Sequence, residues 1–221
     1  LNADSVFGRY WSITKFKDII EVETDHGRFS SEPSVVIGDL DDNFRTEMFI
    51  AKDPPIHDVQ RRAAQPAVAP QRLSELEDLI RERVCTILDS VPRNEEFNWV
   101  DTVSRELTVQ MLATLFDFPF EDRHLLSKWS DAATASEQTG VAGVDEEARI
   151  ATLMEAHDYF LELWKERAAA PQKFDFLSLM AHDPNTKALP DKPLEFLGIL
   201  ILFIVGGHDD TRRATVGGRV P

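Results

Sequence analysis

Residues 193–213 read PLEFLGILILFIVGGHDDTRR, and the fold turns on this stretch. Pro193 suits the first position of a helix, where an N–H would go unused. From Phe196 to Val205, ten residues in a row are apolar or glycine. A helix that is apolar all round is buried all round, so the segment predicts a core helix surrounded by others. Ten residues fall short of the roughly 20 that cross a bilayer. The run then meets Gly206, Gly207, Asp209 and Asp210. Glycine costs a helix interior up to about 1 kcal/mol against alanine, and buried carboxylates cost more unless paired. Rule-breaking of this kind is where function is sought. Gly206 and Gly207 would let another group approach the backbone, Asp209 could relay protons and Thr211 could donate a hydrogen bond. The plainer reading is a helix end, with glycines as caps and charges emerging into water.

Working outward from that helix, the rest of the chain is also mainly helical. Asp53-Pro54-Pro55 predicts a helix start with Asp53 as N-cap. Leu73, Leu76, Leu79, Ile80, Val84, Ile87 and Leu88 keep a 3.6-residue period, and Trp99–Phe116 repeats it. Further helices are predicted over Glu121–Ser136, Asp145–Ala169 and Phe174–His182. At the N-terminus, Arg9–Thr14 is aromatic and β-branched and predicts a small β region. Lys17–Val22 reads as a short helix, and residues 30–53 as a long loop of the kind that is often functional.

Composition removes several classes of function. The 221 residues carry 24 Lys+Arg against 39 Asp+Glu, a net charge of −15, spread evenly along the chain. No basic stripe exists to neutralise phosphates, so neither nucleic acid nor an anionic membrane is expected as a partner. Cys85 is the single cysteine, which excludes an intrachain disulfide and suits a cytoplasmic protein. Its apolar neighbours Val84, Ile87 and Leu88 predict core packing for it.

Other constellations could carry chemistry. His57 and Arg61 lie four apart and share one helix face, where they could clamp a carboxylate or phosphate; a solvated polar face is the alternative. His57-Asp58, His157-Asp158, His182-Asp183 and His208-Asp209 suggest a His-Asp metal-dependent phosphohydrolase. Adjacent helical residues diverge by about 100°, however, so several pairs would have to converge. The cluster Asp39, Asp41, Asp42 lacks the glycine of a calcium loop. A third reading is a non-catalytic helical binding module.

The order of these pieces resembles the cytochrome P-450 superfamily of haem-thiolate monooxygenases. The resemblance rests on Asp53-Pro54-Pro55-x-His57-x-x-x-Arg61, followed about 150 residues later by Gly206-Gly207-x-Asp209 on a long apolar helix. Met48–Pro55 and Phe203–Gly207 are similar to the bacterial soluble type that hydroxylates medium-chain alkanes and fatty acids terminally. The resemblance implies a mainly α, partial P-450 fold over residues 1–221, with the C-terminal haem-ligand half absent. It implies haem as cofactor, O2 and an apolar substrate, and a ferredoxin-type electron donor. His57 and Arg61 would hold the haem propionates, and Gly206 and Gly207 would make room above the iron. Phe49, Ile50 and Phe203 would meet substrate. Asp209, Asp210 and Thr211 would serve proton delivery, although the family's threonine position is here Asp210 and the threonine comes one place later. The family's axial cysteine has no counterpart in the sequence, and Cys85 lies in the wrong neighbourhood to replace it.

Overall fold

The computed structural model describes residues 8–35, 44–135 and 143–217, with side chains as far as Gly207. Nine α-helices occur among them: α1 Phe16–Thr24, α2 Ile56–Ala64, α3 Pro70–Glu75, α4 Glu77–Ser90, α5 Glu106–Phe116, α6 His124–Thr134, α7 Glu146–Ala169, α8 Phe176–His182 and α9 Pro193–Gly217.

Helix α9 is the axis of the core. Phe196, Leu197, Ile199, Leu200 and Ile204 are each about 1 % exposed or less, and they point to several sides of the helix, as the ten-residue apolar run requires. Helices α5, α6 and α7 pack around it. The long α7 buries Leu153, Ala156, His157, Phe160, Leu163 and Trp164, a spacing of three and four residues that makes one stripe. Where α5, α6 and α7 meet, aromatic rings replace aliphatic packing: Phe116 lies 5.2 Å from Phe160 and Trp129 5.6 Å from Phe160, centroid to centroid. Tilted pairs at such distances add stabilisation beyond area burial.

Local rules explain most boundaries. Asp145 accepts a hydrogen bond from Ala148 N at 3.1 Å and caps α7. Asp175 does the same for α8, from Ser178 N at 2.8 Å. At the end of α5, Asp117 turns left-handed (φ 49°) and Phe118 N returns to Ala113 O. Arg167 of α7 then donates to Asp117 O at 2.6 Å, which satisfies a carbonyl the helix end leaves free.

Several expectations need correction. The β region expected over Arg9–Thr14 is reduced to an isolated bridge at Tyr10. Alternating aromatic and β-branched residues state a propensity, but a strand forms only along a paired ladder. The helix expected at Asp53 begins at Ile56. The Asp53 carboxylate instead accepts from Ser30 Oγ at 2.6 Å and Ser31 N at 3.0 Å, tying an upstream loop to the helix entry. The expected Leu73–Leu88 helix breaks at the buried Leu76 into α3 and α4. The expected Trp99–Phe116 helix opens with a π-helical turn over Val100–Arg105 before α5. Cys85 is exposed on α4 and not core-packed; of the apolar residues near it, Ile87 alone is buried and Leu88 is 42 % exposed.

One close approach fixes where the 44–48 segment meets α9. A Cβ on Gly198 would sit 2.1 Å from Glu47 O, so backbone lies directly on backbone where α9 passes the 44–48 segment. Glu47 N also donates to Leu194 O at 3.3 Å. Gly198→Ala is therefore expected to lower stability by about 1–3 kcal/mol, the cost of overpacking, despite alanine's better helix propensity. Gly206→Ala, whose Cβ would meet nothing within 4 Å, is expected to raise it by up to about 1 kcal/mol. Urea denaturation of the two variants checks both signs.

Candidate active site

The segment held down by Gly198 carries Phe49 and Ile50, and it lies beside α2. Together with α5, α8 and α9 these elements enclose a cavity of about 380 Å³ that opens to solvent on one side. Phe49, Ile50, Leu112, Leu115, Phe176, Leu202 and Phe203 form its apolar walls, Gly206 and Gly207 its floor on α9, and Arg61 its polar edge on α2.

The walls are built ring on ring. Phe176 stacks on Phe203 with centroids 4.4 Å apart and planes 9° from parallel. Phe49 bridges Phe203 and His57, 5.9 Å from each. Phe203 is thus clamped by α8 on one side and by the 49–51 turn on the other. The floor is tight on one side and open on the other. A Cβ on Gly207 would come within 2.6 Å of Leu112 Cδ2, while one on Gly206 would meet nothing within 4 Å. The glycine pair therefore lets α9 press on α5 and leaves room toward the cavity.

The electrostatics are one-sided. Arg61 has no carboxylate or carbonyl partner among the described residues. Its neighbour one turn back, His57, is occupied through Nδ1 with Asp58 at 2.9 Å. A guanidinium at the rim of an apolar slot, with no partner of its own, calls for an anionic group on a mostly apolar ligand. A buried carboxylate on a supporting element, Asp175, lies at the N-terminus of α8, next to Phe176. It is 3 % exposed and its Oδ2 has no partner. Burial pushes its carboxyl above the ordinary range, against the lowering effect of the Ser178 N–H.

The structure thus brings together six of the residues singled out in the sequence: Phe49, Ile50, Arg61, Phe203, Gly206 and Gly207. His57 stands just behind Phe49. Asp209, Asp210 and Thr211 lie on the part of α9 whose side chains are outside the described residues, and the Asp39–Asp42 cluster lies outside the described residues altogether. Phe176, Leu112 and Leu115 were missed, because nothing local distinguishes a cavity-lining apolar residue from a core one. The three His-Asp pairs with described side chains do not converge. His57 and His157 each bond their own neighbouring Asp at 2.9 Å, and His182 faces two backbone carbonyls. Among the described residues no three His, Cys, Asp or Glu side chains gather, so a metal-dependent phosphohydrolase is not favoured.

No family model matches the chain. Relatives are nevertheless clear. Linalool 8-monooxygenase of Pseudomonas putida is 28% identical over 225 residues, covering 96% of this chain and 54% of that protein. A steroid C26-monooxygenase of Mycolicibacterium smegmatis is 28% identical over 218 residues, covering 96% and 50%. Among solved structures, cytochrome P450-153 from Novosphingobium aromaticivorans matches with a TM-score of 0.82 at 37% identity, over 96% of this chain and 53% of that one. CYP153D17 from Sphingomonas sp. PAMC 26605 matches with a TM-score of 0.80 at 43% identity, over 94% and 52%. The helical core is the one these P450 structures share over the matched half of their length. The chain belongs to the cytochrome P450 superfamily and carries part of that fold. It spans about half the length of the curated relatives it matches.

The residues present fit the edges of a haem. The slot is apolar, its glycine floor is open at Gly206, and the unpaired Arg61 suits a propionate. None of the lining residues is a cysteine or a histidine, so these walls would supply contacts to a macrocycle and no ligand to its metal.

The buried Asp175 gives a prediction. Its folded-state carboxyl holds a proton more tightly than the unfolded chain does. Stability should therefore fall as pH rises from the ordinary carboxylate value through the raised folded one. Asp175→Asn keeps a competent cap and is expected to flatten that fall. Asp175→Ala is expected to lose about 1 kcal/mol with the cap. Urea midpoints between about pH 4 and 7 read out both.

Proposed function

We propose that the chain is the distal half of a haem-thiolate monooxygenase that hydroxylates an apolar substrate, a medium-chain alkane or fatty acid being the substrate class. The observation that carries this reading is the unpaired Arg61 at the rim of an aromatic, glycine-floored cavity. The names of its relatives support it, since a terpenoid alcohol and a steroid are both largely apolar molecules. Haem, when bound, supplies the activation of O2 and the insertion of one oxygen atom into a C–H bond.

The chain's own residues then have separable roles. Arg61 donates to a propionate as a fork, a geometry lysine lacks, and His57 offers a second donor on the same helix face. Phe49, Ile50 and Phe203 exclude water and align an apolar chain along the slot. Gly206 keeps the space beside the helix free, and Gly207 lets α9 close on Leu112. Asp209 holds and passes protons toward the cavity, with Asp210 and Thr211 next to it taking the place of the family's acid–threonine pair. A ferredoxin-type donor supplies electrons, and the enzyme works in the cytoplasm; no described helix is long and apolar enough to cross a membrane.

Two measurements test the proposal. Haemin titrated into the 221-residue chain is expected to bind, and Arg61→Ala to weaken it roughly 10- to 100-fold, the worth of one charge-assisted hydrogen bond. With reductant and CO, the same mixture is expected to give no thiolate-type Soret band, because Cys85 is on α4 and does not line the cavity. Equal haemin affinity in wild type and Arg61→Ala, or a thiolate band, would contradict the assignment. In a protein extended by the half its relatives carry, incubation with a medium-chain alkane and redox partners should yield the terminal alcohol by mass spectrometry.

A further inference from the structure

Helix α2 carries Arg61, yet its packing partners are the 49–51 turn, the short turn after it, and α8. The buried residues it offers are Ala63, Ala64 and Gln60. Alanines are too small to fix how a helix is rotated about its axis. Gln60 is different. It is 8 % exposed, and its Nε2 donates to Glu195 Oε1 at 2.6 Å, across 135 residues, to a carboxylate that is itself 9 % exposed. Among the described residues, Gln60 is the α2 side chain that hydrogen-bonds another helix.

Burying that carboxylate carries a cost. Glu195 lies in the first turn of α9, where the helix dipole favours negative charge, and Lys192 reaches Oε2 at 2.9 Å from solvent. Even so, an apolar pair of the same volume would serve stability as well or better. What an apolar pair lacks is direction. Gln60 and Arg61 are adjacent, so they point about 100° apart on α2. Fixing Gln60 on α9 fixes where Arg61 points. The same α9, eight to twelve residues further on, supplies Phe203, Gly206 and Gly207 to the cavity.

We infer that the Gln60–Glu195 hydrogen bond is the positioning contact that sets the rotation of α2 against α9 and so aims Arg61 at the anionic edge of the bound group. The inference rests on the haem-site reading for the identity of that anion. Neither residue touches the group itself; they act through Arg61.

The test uses the whole 221-residue chain and three variants. Gln60→Met keeps the length and removes the donor. Glu195→Gln keeps an acceptor and removes the charge. The exchanged pair, Gln60→Glu with Glu195→Gln, reverses donor and acceptor and rebuilds the bond. Hydrogen exchange followed by mass spectrometry is read over residues 56–64 and, as reference, 146–169. Gln60→Met is expected to speed exchange in 56–64 about tenfold and leave 146–169 unchanged. The exchanged pair should restore protection, and Glu195→Gln should keep it. Haemin affinity should follow the same pattern, about tenfold weaker in Gln60→Met and recovered in the exchanged pair. Unchanged exchange in 56–64 in Gln60→Met overturns the inference. So does failure of the exchanged pair to rescue, or loss of haemin affinity in Glu195→Gln with α2 still protected. Should Gln60→Met not fold, the exchanged pair and Glu195→Gln decide the question alone. Failure of the wild-type chain to bind haemin would remove the cofactor reading, and the exchange arm would still decide whether the pair positions α2.

Discussion

The absence of a Cβ at residue 198 is the constraint from which the site follows. Helix α9 can lie against the Glu47 backbone only because nothing projects there. That contact draws the 44–52 segment onto the core helix. Phe49 then reaches Phe203, Phe203 is pressed onto Phe176, and the cavity acquires three of its walls. The Glu47 side chain is used as well: it pairs with Lys52 on the same segment, and that ammonium holds the Glu47 carboxyl below its ordinary range. The turn that presents Phe49 and Ile50 is therefore braced at both ends.

The glycines of α9 do different work along one helix. Gly198 allows backbone contact, Gly207 allows contact with Leu112 of α5, and Gly206 leaves space. Between them, large apolar residues fill the core. A helix built this way trades local propensity for close approach at two points and an opening at a third. Polar function is kept at the rim, where Arg61 needs no burial and its charge is free for a ligand. Among the described residues, the buried polar link between α2 and α9 is that of Gln60 and Glu195, at the start of α9.

Much of this was legible in the sequence. The ten-residue apolar run announced the core helix, and helices form within the expected spans Asp145–Ala169 and Phe174–His182, capped by Asp145 and Asp175. Arg61 and the Gly206-Gly207 pair, picked out by their spacing, line the cavity, with His57 beside Phe49. What stayed hidden depends on contacts between distant segments. Nothing in a single sequence distinguishes Gly198 from a tolerated glycine, since its reason is a backbone 151 positions earlier. Gln60 reads as one polar residue among several, and only its burial against Glu195 sets it apart. Asp53 looked like an N-cap because the local pattern is right, but Ser30 and Ser31 compete successfully for its carboxylate. Cys85 follows the same lesson in reverse, with an apolar neighbourhood in sequence and an exposed position in space.

On the proposed reading, the cavity between α2 and α9 holds a flat apolar group with an anionic edge. A crystal structure of the chain grown with haemin tests it most directly. The macrocycle should lie against Phe203, Gly206 and Gly207, with one propionate within hydrogen-bonding distance of the Arg61 guanidinium. Haemin bound elsewhere, for instance against the exposed Trp11 and Phe16 near α1, with the cavity collapsed around Phe203, would contradict it.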